Sequence, residues 1–399
     1  MHLTATRILA CLALLASALP SNGHAEAPAE DSSRLDDLRT LSDMVQLIRD
    51  NYVDEIGEDD LLHSAMAGLV AGLDEHSGWL PASRFQAHND SSRGRQGGIG
   101  ATFEVNEKRL FVDAIAPDSP AEIAGLEPGD QLLAVDGEPV RGRRLDTSLQ
   151  ALDGEPGTTV TLRIRDRSGA KRTIDIERAY VPVDSVSGQW LEPGTAYLAI
   201  SHFNDHTDRD FEHELEQLGQ QPGAIEASRI IIDLRDNRGG VLTSALAVAD
   251  GFLESGLVVE TRGRTPSTRM SYVAQPGQWR PQARVAVLTS SLTASSAEIL
   301  AGSLQDHGRA IVLGRTSFGK GTVQSVVRLH NGSALKFTTA RYYTPSGREI
   351  DQSGIKPNIE IRGGLHPTGD VNDPVIGAAM SALKTDPPEP ESAALATGA

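Results

Sequence analysis

Three sets of residues have types and spacings that could do chemistry. Ser295 and Ser296 stand where an apolar helical run begins, in Thr293-Ala294-Ser295-Ser296-Ala297-Glu298-Ile299-Leu300. A serine at that point commonly caps the helix. The same point also suits a nucleophile, because the backbone N–H of Ser296 and the helix dipole would face a developing oxyanion. Gly314 to Lys320 begins like a phosphate-binding loop, with four residues between two glycines and a lysine after the second. Gly321 then occupies the place of the hydroxyl that would hold magnesium, and Thr322 to Val327 reads as strand instead of helix, which argues against nucleotide binding. His202 and His206, with His213 beyond, have the spacing of metal ligands on a helix, but acidic neighbours and the lack of a His-Glu-x-x-His motif favour a solvated face. The Gly-x-Ser-x-Gly elbow of α/β-hydrolases does not occur.

The chain that must position these residues has 399 of them, enough for two or three domains. The first 25 residues read as an export signal, with Arg7, an apolar run from Ile8 to Leu19 and small residues around Gly23 and Ala25. The single cysteine, Cys11, falls within that run, so the exported chain is expected to have no disulfide, thiol nucleophile or cysteine metal cluster. A net charge of −17 without a basic patch argues against nucleic acid as a partner, and a membrane is expected only if the signal remains uncleaved.

Helical spacing of Leu35, Leu38, Leu41, Val45 and Ile48, and then of Leu61, Leu62, Ala65, Met66, Leu69 and Leu73, predicts two amphipathic helices. Short strand-like runs follow at Leu110 to Ile115, Gln131 to Val135, Val160 to Arg165 and Thr173 to Glu177. They are punctuated by Pro128-Gly129-Asp130, Asp136-Gly137 and Gly154-Glu155-Pro156-Gly157, a pattern that predicts a small, mostly β domain. After Pro182 apolar strands alternate with helical patterns, near Thr207 to Leu218, Thr243 to Leu253 and Ser295 to Gln305, which is α/β organisation. Beyond Gly363 the composition turns to Pro, Ala, Asp and Glu and predicts a mobile tail.

Residues 94–180, with Ser119-Pro120-Ala121, Ala124-Gly125-Leu126, Pro128-Gly129-Asp130 and Val135-Asp136-Gly137, resemble a PDZ domain. That resemblance assigns Gly97, Gly98, Ile99 and Gly100 to the loop that receives a peptide's terminal carboxylate, while the peptide adds a strand to the sheet edge.

The serine segment, Ser317-Phe318-Gly319-Lys320-Gly321-Thr322-Val323-Gln324, and Asp233-Leu234-Arg235-Asp236-Asn237-Arg238-Gly239-Gly240 together resemble the carboxy-terminal processing peptidases. These are the tail-specific proteases of the S41 serine peptidase family. The likeness runs from Asn51-Tyr52-Val53-Asp54 to Arg341-Tyr342-Tyr343-Thr344-Pro345-Ser346-Gly347. It implies a dyad of Ser295 and Lys320, 25 residues apart, with Gln324 positioning the lysine and an oxyanion hole from backbone N–H groups of Ser296 and of Gly239 or Gly240. A lysine accepts a serine proton only when neutral, which requires burial to push its pKa down. Phe318 and Val323 are the expected sources of that burial, and Gln324 can orient the amine without a charge that would restore its proton. Two departures from the family wording stand out: Ser296 is a competing nucleophile, and Arg238 replaces the usual proline before the glycines.

The resemblance implies an α/β fold with a crotonase/ClpP-like peptidase core, N-terminal helices and an inserted, mostly β PDZ domain. The expected boundaries are a signal at 1–25, helices at 26–93, PDZ at 94–180, peptidase at 181–365 and a low-complexity tail at 366–399. It further implies a serine endopeptidase of the periplasm or cell envelope that acts on proteins or peptides with free C-termini, needs no metal or other cofactor, and leaves room for an adaptor or regulatory protein. The rival reading is an inactive PDZ scaffold of the envelope that only binds peptides.

Overall fold

The computed structural model describes residues 29–384, apart from 107–108, 142–144, 222–225 and 365; the expected signal and the last residues of the expected tail lie outside the described residues. The chain divides into two units between Leu69 and Val70. In the first, α1 (Ala29–Asn51) is followed by α2 (Glu58–Ala71), whose first turn carries Glu58, Asp59 and Asp60 where the helix dipole favours anions. Both helices expected from periodicity are present.

The second unit opens with a short strand, Gly78–Leu80, and α3 (Ala82–Ser92), which apolar spacing did not reveal. A two-stranded ribbon, Arg95–Gly98 against Ala179–Pro182, carries the chain into and out of the small β domain. There the strands Ala101–Asn106, Arg109–Ile115, Gln131–Val135, Thr159–Arg165 and Lys171–Glu177 pair antiparallel in that spatial order. Strict alternation buries Val160, Leu162 and Ile164 on one face, each stabilising by about 1.5–3 kcal/mol relative to exposure. Ser119 caps the one-turn helix α4 (Pro120–Ile123) by accepting the Glu122 N–H, and α5 (Leu145–Gln150) lies beyond it in the chain.

The larger domain is built on a sheet in the order Val186–Glu192, Thr195–Ile200, Arg229–Asp233, Arg284–Thr289, Ala310–Gly314 and Ile359–Glu360, antiparallel at the first pair and parallel thereafter. Alternate side chains feed two cores. Leu198, Ile230, Ile232, Val285 and Val287 pack in one with α6 (Thr207–Gln220), α7 (Leu242–Asp250) and α8 (Ser296–Asp306). Tyr197, Ile231, Ala286 and Leu288 pack in the other with α9 (Pro374–Ala382). In α6, burial of Phe211, Leu215 and Leu218 at helical spacing fixes the face that meets the sheet. A second sheet, with Ala334–Tyr343 paired to Gly256–Gly263 and to Thr322–Arg328, holds the strand that leaves the lysine segment.

α9 corrects the tail expectation for the described residues beyond 366. Val375, Ile376 and Ala379 are buried. Asp373 accepts the Val375 N–H at 2.8 Å and pairs with the fully buried Arg235 at 2.7 Å. Pro374 at the first helical turn is compatible with a helix start, since its missing N–H has no intrahelical role there.

Candidate active site

The site is assembled from three loops at the ends of parallel strands. The first follows Arg229–Asp233. Asn237, fully buried, donates from Nδ2 to the Ile200 carbonyl at 3.0 Å and accepts the Gly239 N–H on Oδ1 at 2.8 Å. Gly239 and Gly240 take φ of +100° and +140°. A Cβ on Gly239 would lie 2.8 Å from Ser295 Cβ, and one on Gly240 would lie 2.0 Å from the Phe203 carbonyl oxygen, so neither position accommodates a side chain.

The second loop follows Arg284–Thr289. Thr293 donates its hydroxyl to the Leu234 carbonyl at 2.7 Å and Ala294 its N–H to Asn237 at 2.9 Å, which stitches this loop to the first. Ser295 then adopts φ +59° and ψ −123°, a conformation that is costly for any residue with a side chain and that persists only where surroundings impose it. α8 starts at the next residue. Ser295 is half-buried, whereas Ser296 is 2% exposed and donates its hydroxyl to the Gly240 carbonyl at 3.4 Å. The accessible serine is therefore Ser295.

The backbone N–H groups distinguish the two glycines. That of Gly239 is occupied by Asn237, and its carbonyl accepts the Phe203 N–H at 3.0 Å. Among the described residues no acceptor is found for the N–H of Gly240, which is exposed, or for that of Ser296, in the first turn of α8 where helical donors have no partner within the helix.

The third loop, from Arg315 to Gly321, carries Lys320 and is clipped onto the second by Glu298. This carboxylate, fully buried on α8, accepts N–H groups from Ser295 at 2.8 Å, Gly319 at 2.7 Å and Lys320 at 2.9 Å, together with the Ser317 hydroxyl. Phe318 adds a backbone bond to Thr293 at 2.8 Å. Burial pushes the Lys320 ammonium pKa down, Lys336 pushes it further the same way, and Glu298 opposes both. The Phe318 ring is 61% exposed, so it does not supply the burial expected of it; Val323 does pack against the core. Gln324 donates its amide to the hydroxyls of Thr322 at 2.7 Å and Thr338 at 3.4 Å. Among the described residues, no hydrogen bond joins the Lys320 amine to Ser295 or Gln324. The loops bring Ser295, Ser296, Gly239 and Gly240 together and tie the Lys320 backbone to them, while Gln324 faces its own sheet.

Other candidate groups fall elsewhere. His202 and His206 precede α6, with His206 at its N-cap, so they do not form the helical pair that their spacing allowed. Asp306, an acid eleven residues after Ser295 at the far end of α8, has a structural role there: it accepts the Ser346 N–H at 2.9 Å and pairs with Arg348. Arg238 is exposed beside the glycines.

In the small domain, Gly97 and Gly98 pair in the ribbon, and Gly100 has φ +75°. Ile99 is buried, and its carbonyl and that of Gly100 accept N–H groups of Ala121 and Ala116 at 2.8 Å. Among the described residues the N–H groups of Ile99 and Gly100 have no acceptor. They stand at the head of a groove of about 760 Å³ lined by Ala101, Phe103, Leu149 and Leu152. The strand Ala101–Asn106 pairs on one side with Arg109–Ile115 and is an edge on the other. This is an apolar trough with an unpaired strand edge and two free donors at one end.

The model of Peptidase family S41 matches residues 194–361, and that of the PDZ domain matches 111–166. Fold and matches define a serine-type peptidase of mixed α/β architecture that carries a PDZ domain. The carboxy-terminal-processing protease of Bartonella bacilliformis is 34% identical over 328 residues, covering 81% of this chain and 75% of that protein. The carboxy-terminal processing protease CtpB of Bacillus subtilis is 31% identical over 369 residues, covering 89% and 74%. Among solved structures, the photosystem II D1 C-terminal processing protease is 26% identical, with a TM-score of 0.50, over 87% of this chain and 97% of that one. The chain belongs to the carboxy-terminal processing protease family of S41 peptidases.

The sequence alone assigns no role to Glu298 or Asn237. The one available signal was the acidic residue three places after Ser295, the spacing of a capping box.

Proposed function

We propose that this protein is an exported serine endopeptidase that captures free C-terminal ends of protein substrates in its PDZ groove and cleaves them with Ser295 and Lys320. The observation that carries the reading is the clipping of a strained, accessible serine to a lysine loop whose amine is pushed toward neutrality. The substrate's terminal carboxylate accepts the Ile99 and Gly100 N–H groups, its apolar end fills the trough, and its backbone extends the sheet from Ala101–Asn106.

Catalysis then proceeds by acyl transfer. Neutral Lys320 takes the Ser295 hydroxyl proton as the oxygen attacks the scissile carbonyl, and the oxyanion accepts the N–H groups of Ser296 and Gly240. Lys320 returns the proton to the leaving amine, and water repeats the sequence to release the acyl group. Gly239 holds the loop shape by donating its N–H to Asn237 and so does not donate to the oxyanion. Resting separation of the lysine amine from Ser295 is consistent with a contact that tightens with substrate, as apo-enzyme hydrogen bonds commonly do. Residues 1–25 direct export to the periplasm or cell envelope, where an adaptor or regulatory protein is a further kind of partner.

The test is proteolysis of an unstructured reporter with an apolar C-terminus, beside an amidated copy and the variants Ser295→Ala and Lys320→Ala. Cleavage lost in both variants and weakened by amidation supports the reading. Binding without cleavage by the wild type, with or without a partner extract, favours the peptide-binding scaffold.

A further inference from the structure

Glu298 is fully buried, yet among the described residues it has no cation in hydrogen-bond contact; its partners there are three backbone N–H groups and one hydroxyl. Those donors come from two separate loops. Ser295 lies before α8, and Ser317, Gly319 and Lys320 lie after the strand Ala310–Gly314. Among the side chains, an ionised carboxylate alone combines about four acceptor sites with no donor in so small a volume. A glutamine here would turn its NH2 either toward the N–H groups of Ser295 and Lys320 or toward the Gly319 N–H and the Ser317 hydroxyl, and a protonated glutamic acid would likewise set an O–H against at least one N–H.

We propose that Glu298 is a positioning residue, whose ionised carboxylate fixes the nucleophile turn and the base loop as one unit and so sets the approach of Lys320 to Ser295. The proposal rests on the reading of Ser295 and Lys320 as nucleophile and base. Position and charge act in opposite directions at this site. The carboxylate is needed for geometry, but its charge favours the protonated lysine. Other charged groups around the lysine loop are Lys336, on Ala334–Tyr343, which lowers the lysine pKa, Asp351, which accepts the Gly321 N–H and neighbours Arg341, and Arg315 at the start of the loop itself. Burial leaves the Glu298 pKa raised above the ordinary carboxylate value, with Ser317 and the three N–H donors opposing that rise.

Two variants separate these effects. Glu298→Gln keeps the volume and removes the charge; Glu298→Asp keeps the charge and shortens the reach. For Glu298→Gln we expect kcat to fall roughly 100-fold, the scale of a small misplacement of reacting groups, with KM within about threefold of wild type. The rising limb of the pH–rate profile should also move to lower pH, because the lysine loses an anion. Glu298→Asp should lower kcat with the limb in place. Thermal unfolding of both variants checks folding; if Glu298→Gln does not fold, the kcat of Glu298→Asp decides, and a wild-type value there overturns the proposal. Lys320→Ala is run alongside. Activity that persists in Lys320→Ala overturns the dyad reading, and the proposal with it. Loss of activity in Lys320→Ala, with Glu298→Gln at wild-type kcat and an unmoved pH limb, overturns the positioning role alone.

Discussion

The peptidase loops and the PDZ groove use backbone N–H groups in opposite ways. Around Ser295 nearly every donor has a partner: Asn237 takes Gly239, Glu298 takes Ser295, Gly319 and Lys320, and Gly240 and Ser296 are left over. Around Ile99 and Gly100 the partners are carbonyl-side, and a strand edge remains unpaired beside apolar side chains. A site that develops charge needs donors fixed before the reaction. A site that reads a chain end needs a vacancy that the chain itself completes. The difference teaches that the two regions should fail independently.

The largest effect expected is in Ser295→Ala, with kcat down by about 10³-fold or more and C-terminal peptide affinity within about twofold of wild type, measured by proteolysis and by calorimetry on one preparation. Collapse of both together would break the comparison. Next comes amidation of the peptide, which removes charge-assisted hydrogen bonds to Ile99 and Gly100 and should weaken binding roughly tenfold or more, while leaving cleavage of the bound fraction unchanged.

A smaller effect sharpens the electrostatics of the core. Lys320 is pushed down by burial and by Lys336. Its neutral form grows as pH rises through that lowered pKa, so activity rises with pH and levels off below the ordinary lysine range. Lys336→Gln removes one of the two depressing influences, raises the lysine pKa and moves the limb to higher pH, with about a fewfold loss at pH 7. The smallest effect belongs to the groove. Asp153 lines it, and burial holds its carboxyl above the usual range, against the pull of Gln96 and Arg178. Its anion repels an incoming carboxylate, so Asp153→Asn should tighten binding by about two- to threefold at neutral pH, and acidification should tighten wild type more than the variant.

Much of this was legible in the sequence, for identifiable reasons. Runs such as Val160 to Arg165 alternate so regularly that only a half-buried strand fits, and the observed strand, Thr159–Arg165, begins one residue earlier. The serine, lysine and paired glycines were legible through family wording, since their roles follow from residue type and spacing. The strands Val186–Glu192, Gly256–Gly263 and Met270–Ala274 were not, because mixed polar and apolar residues there take their order from neighbouring strands. α9 was masked by the surrounding Pro and Asp, and its anchor to Arg235 joins residues 138 apart in sequence. In the sequence Glu298 is one letter of a motif. Its function depends on donors more than 18 residues away converging on one carboxylate, which no local pattern encodes.

The most direct test of the dyad is the rate and site at which a fluorophosphonate modifies the protein, followed by mass spectrometry in wild type and Lys320→Ala. The account predicts an adduct on Ser295, formed about 100-fold or more slowly without the lysine. An adduct on Ser296, or equal rates in the two proteins, would contradict it.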